Sequence, residues 1–184
     1  MSNIELIVLA RMVHVMAGVT WAGATFLLAA VIAPIAARHG AEGAGRWTGL
    51  IARRVGPISG ISALLTVLSG VYLFASLHSR DSSATGLVLK IGAVAAFLSL
   101  AIGILISRPT GLKLAKLSEQ HSPAGTLPAD VLQTMSGLRL RAALSTRFTA
   151  VLLGIAVLSM ASFRYAEAIL PSHEAPNRLV DGFT

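Results

Sequence analysis

The chain has 184 residues, of which 54% are hydrophobic and only 12% charged. A water-facing globular surface needs about twice that share of charge, so a soluble domain is excluded. Cysteine is absent, which removes disulfides, thiolate metal sites and thiol redox chemistry, and the net charge of +7 is spread between loops with no single basic tract, which excludes a nucleic-acid partner.

The first apolar run, about Leu6 to Ala36, exceeds the ~20 residues that cross a bilayer and the ~7 to 15 of a signal-peptide core. Glu5 stands where a signal peptide would be basic, so the run is expected to stay, either tilted or with its first two turns, IELIVLA, in the outer interface, and Pro34 marks a kink or the start of the exit. Its central stretch, RMVHVMAGVTWAGATFLLAAVIAP, carries an arginine and a histidine. At 100° per residue, Arg11, His14, Gly18, Trp21 and Thr25 fall in one stripe. Lipid does not tolerate such a stripe, so it faces other helices, and an ionisable group there is a functional-site candidate.

The loop RHGAEGAGRWTGLIARR ends in Trp47, Leu50 and Ile51 among arginines, which reads as a short interfacial helix. A second span covers about Val55 to Leu77, with Pro57 in its first turn. Ser59, Ser62, Thr66, Ser69 and Ser76, with Gly70 beside them, make a small polar stripe, for close helix packing or for lining a polar cavity. The third span, about Ala84 to Ile106, has Gly92, Ala95, Ala96, Ser99 and Gly103 opposite Lys90. Residues 107–143 repeat apolar positions at helical spacing on either side of SPAGTLP, which predicts a helical hairpin continuing the third and fourth spans. The fourth span, about Leu144 to Tyr165, ends in the interface anchors Arg164 and Tyr165, and PSHEAPNRLVDGFT reads as an irregular tail.

These elements predict one all-α domain over 1–184: an integral membrane four-helix bundle with a cytoplasmic helical extension between spans three and four. Lys and Arg crowd the first and third loops, while the second has only Arg80, balanced by Asp81. Odd-numbered loops are therefore expected in the cytoplasm and both termini on the outer side.

Among five histidines, only His14 falls inside a span. His78 ends the second span on the same outer side but projects away from the polar stripe, and His39, His121 and His173 lie in loops or tail. All eight acidic residues lie outside the apolar cores, which argues against a carboxylate proton relay or ion pump. Arg11, Lys90 and Arg164 sit near the outer helix ends, where they either snorkel to headgroups, with Glu167 in reach of Arg164, or meet an anionic ligand such as haem propionates. Met160 lies one turn inward of Arg164, much as His14 lies inward of Arg11, so two helices each offer an axial ligand with a cation outside it. Imidazole and thioether suit copper as well. On this reading Trp21 flanks a porphyrin and Gly18 leaves room for a flat ring. The plain alternative is a His14 that hydrogen-bonds a serine of the second span and binds nothing.

The first-helix pattern HxxxGxxWxG, formed by His14, Gly18, Trp21 and Gly23, resembles the CopD-like and HemJ-like group of small bacterial membrane proteins. Looser likeness continues in RRVGPISGISALLTVLSGVYLF, in the third span ending ISRP, and in LLGIAVLSMASFRY. The resemblance implies a bacterial inner-membrane four-helix core that handles copper or haem b, with His14 as the ligand position. A HemJ-like porphyrin oxidase would carry a second histidine in a later span, where this chain offers only Lys90 as a match. Three roles follow as expectations: a haem or copper protein serving electron transfer, metal handling or assembly of a respiratory complex; a cofactor-free accessory subunit packed on a larger complex; and an oxidase acting on a porphyrin or quinone. The partners expected are the lipid bilayer and a redox or complex subunit.

Overall fold

A computed structural model describes residues 3–39, 44–78, 83–120 and 128–169. Among these, every residue but His78, Ser83 and Pro128 is helical. Helix α1 (Asn3–Leu27) passes through a π-turn at Leu28–Ile32 into α2 (Ala33–His39), and α3 is Ala44–Leu77. Helix α4 (Ala84–Ile102) passes through a second π-turn, Gly103–Ser107, into α5 (Arg108–Gln120), and α6 (Ala129–Ser162) ends in a 3-10 turn, Phe163–Tyr165, and the short α7 (Ala166–Ile169). Four helices are long and apolar enough to cross a membrane: Asn3–Ala36, Arg53–Leu77, Ala84–Gln120 and Ala129–Tyr165.

Local chemistry explains the main irregularities. Pro34 and Pro109 have no N–H to give the carbonyl four residues back, and in both helices the ladder slips one residue just ahead of the proline. The Ala33 N–H reaches back to the Leu28 carbonyl, and the Arg108 N–H to Gly103. The kink expected at Pro34 is thus a π-turn, with a counterpart in the third span. Ser83 caps α4, its hydroxyl accepting from the Gly86 N–H at 3.3 Å. One expectation is corrected: the arginine-rich end of the first loop forms no separate interfacial helix but the opening turns of α3, which places Pro57 inside that helix.

The distribution of side chains is the inverse of a water-soluble bundle. Inside are small residues, Ala17, Ala22, Ala63, Ala95, Ala96 and Ala156, around the larger Trp21 and Leu153. Outside are Met16, Val19, Leu68, Leu105 and Leu158, each at least 66% exposed. Large apolar groups facing out and small ones facing in suit lipid as the solvent and close backbone packing as the attraction. The buried hydroxyls of Thr25, Thr66, Ser99 and Thr149 donate to carbonyls one turn back in their own helices, so they enter the interior already satisfied.

The bundle is two antiparallel hairpins, α1 with α3 and α4 with α6, joined through the core where Trp21, Ala63, Ala95, Ala96, Leu153 and Ala156 converge. In the second hairpin Gly92 is so close to α6 that an added Cβ would lie 2.9 Å from the Ser159 Cβ and 3.4 Å from the Ala156 carbonyl oxygen. Further along, the Ser107 hydroxyl donates to Ser145 at 3.1 Å. The segments expected to form a hairpin beyond the third span, Thr110 to Ser118 and Ala129 to Arg141, are both helical. Helix α5 packs on α6, with Thr110 and Met135 buried. The Arg53 guanidinium donates to Glu119 at 2.7 Å, tying the start of α3 to the end of α5, but both side chains are more than 60% exposed, so the pair adds little stability.

Candidate functional site

The site is built on the register of the first hairpin. Helices α1 and α3 run antiparallel so that Trp21 and Ala63 share the core, Gly18 faces Thr66, and His14 lies over Gly70. Each bulky group thereby meets a small one. An added Cβ on Gly18 would sit 3.6 Å from the Thr66 methyl, an ordinary contact, whereas one on Gly70 would sit 2.8 Å from His14 Cε1 and 3.2 Å from Nδ1. Gly70 is therefore the seat of the imidazole, and only glycine leaves room for it there.

His14 is half-buried, and its Nδ1 lies 2.8 Å from the Thr66 carbonyl oxygen. A carbonyl only accepts, so Nδ1 carries the proton and donates. Ser69 Oγ, 3.3 Å from Nδ1, gives its own hydrogen to the Leu65 carbonyl and takes a share of the same N–H. With Nδ1 protonated, a neutral ring holds its lone pair on Nε2, which has no partner among the described residues. A histidine held by a backbone carbonyl through one nitrogen and open at the other is oriented as metal-ligating histidines are. The same contacts also fasten two helices together.

The remaining sequence-derived candidates separate into two groups. Trp21, 4% exposed, is the centre of the four-helix core, and Gly18 closes against Thr66, so both position α1. Arg11 is exposed one turn outward of His14. On the last helix Met160 is half-buried, and Arg164 is exposed in the terminal 3-10 turn. The Glu167 side chain proposed to meet Arg164 lies outside the described residues, as do the side chains of His39, His121 and His173. His78 stands about 12 Å beyond Gly70 along α3 and meets Phe163 edge-on at a centroid distance of 6.2 Å. No cluster of three His, Cys, Asp or Glu side chains occurs among the described residues.

Thr66 and Gly70 are the site residues that sequence reasoning placed in the polar stripe of the second span without pairing either with His14. Their signal was the spacing of small residues at Ala63, Thr66 and Gly70, which repeats in reverse the spacing of Trp21, Gly18 and His14. No family model, curated protein or solved structure matches this chain.

Proposed function

We propose that this is a four-span membrane protein that binds haem through His14 near the outer face of a bacterial inner membrane, serving electron transfer, haem handling or assembly of a respiratory complex. The observation that carries the reading is the Nδ1–H bond of His14 to the Thr66 carbonyl, which leaves Nε2 as the free donor. Haem brings four nitrogens of its own and needs one axial imidazole, whereas a bare copper ion takes its whole ligand set from outside. Around His14 the described residues offer one imidazole, with His78 turned to Phe163, so the donor set favours haem. Arg11, exposed one turn outward on the same helix, would be the cation for a propionate, and half-buried Met160 with exposed Arg164 would be the candidate pair on the last helix. Haem bound there would supply one-electron chemistry, and His14, fixed by the Thr66 carbonyl, would hold it. The resemblance of HxxxGxxWxG to the CopD-like and HemJ-like group supports the same reading.

A second reading has its own observation. The imidazole seated on Gly70 joins α1 to α3, and in a cofactor-free accessory subunit that contact is its whole purpose. The absorption spectrum of protein purified in mild detergent, taken with its metal content, separates the readings. A Soret band with about one iron per chain is expected. Copper without colour overturns the choice of haem, and neither metal nor band leaves the clamp.

The orientation rests on the first and third loops, which hold most of the basic residues. Alkaline phosphatase fused after Thr184 should be active, and a fluorescent protein fused there should be dark. The opposite pattern moves His14 to the cytoplasmic side.

A further inference from the structure

The half of the bundle away from His14 carries a groove of about 350 Å³ between the π-turn of the third span and the middle of α6. Ile102 and Ile106 form one wall, Leu144 and Phe148 the other, and Arg141 stands at the end toward the extension. Gly137 lines that end beside open space, since a Cβ there would meet nothing within 4 Å. The groove therefore runs across the boundary expected near Leu144 between hydrocarbon and headgroups, apolar on the membrane side and cationic beyond it. Arg141 is exposed and has no acidic partner among the described residues. An anionic phospholipid matches both parts, one acyl chain along the isoleucines and Phe148 and its phosphate on the guanidinium.

We propose that this groove is a binding site for one anionic phospholipid of the leaflet on the side of the odd-numbered loops, with Arg141 holding the phosphate. Delipidated protein, offered equal amounts of phosphatidylglycerol and phosphatidylcholine with the same acyl chains, should retain one lipid in native mass spectrometry. The preference for phosphatidylglycerol should be about fivefold, the scale of one cation near an anionic headgroup. Arg141→Gln should bring the two lipids to parity while still retaining one. Gly137→Leu, whose side chain enters open space, should fill the groove and lose both lipids without lowering the melting temperature. Equal retention of the two lipids by the wild type, an unchanged preference in Arg141→Gln, or no retained lipid because protein occupies the groove would each overturn the assignment.

Discussion

In Gly70→Ala the His14 imidazole is expected to leave the second helix, and bound haem to fall with little change in fold stability. The added methyl would sit 2.8 Å from Cε1, closer than side chains approach, and the ring is the part free to turn away. Turning breaks the bond to the Thr66 carbonyl, a loss of about 0.5 to 1.5 kcal/mol. Alanine for glycine inside a helix returns about 0.8 to 1.0 kcal/mol, so the melting temperature should hardly move. The ligand histidine, however, loses the partner that fixes its tautomer and direction. Removing such a partner weakens metal binding by about 10-fold to 100-fold, which a haem titration of the apoprotein would read.

Gly92→Leu should do the reverse. Its Cβ would meet the Ser159 Cβ at 2.9 Å and the Ala156 carbonyl oxygen at 3.4 Å, and a backbone oxygen cannot turn aside as an imidazole can. Helices α4 and α6 must move apart along the face where Ala95, Ala96 and Ser99 are buried, at a cost of about 1 to 3 kcal/mol. The melting temperature should fall, while the His14 seat should hold, because His14, Thr66 and Gly70 belong to the other hairpin, so haem per folded molecule should drop far less than in Gly70→Ala. Thermal unfolding and haem content of both glycine variants, measured side by side, therefore separate seating of the ligand from packing of the bundle.

The fold was legible because the bilayer allows so few solutions. Apolar runs near 20 residues with no internal acid read as helices, and four apolar helices follow in that order, but their bounds run past the hydropathy limits, as α3 (Ala44–Leu77) and α6 (Ala129–Ser162) do. The first-loop helix was harder. RWTGLIARR has the composition of an interface segment, but the helix continues through it and past Pro57, and composition does not reveal that continuity. The site was half legible. His14 stood out as the one histidine in a span, and its stripe with Gly18 and Trp21 faces other helices. The expected serine partner was close but incomplete: Ser69 is within 3.3 Å, while the shorter bond goes to a backbone carbonyl, which every residue has and no sequence pattern marks. Trp21 shows the opposite error of emphasis, since a tryptophan on the polar stripe suggests a flank for a flat ligand, yet the space opposite it is already filled by Ala63, Ala95 and Leu153.

The most direct measurement is the Soret spectrum of His14→Ala beside the wild type, with and without added imidazole. The substitution removes the one imidazole that α1 presents and leaves Gly70 and the Thr66 carbonyl facing the space it occupied. The band is expected in the wild type, absent in His14→Ala, and restored when free imidazole takes the vacant place and donates to the same carbonyl. An identical band in both proteins, unchanged by imidazole, would contradict His14 as the ligand and leave it a clamp between two helices.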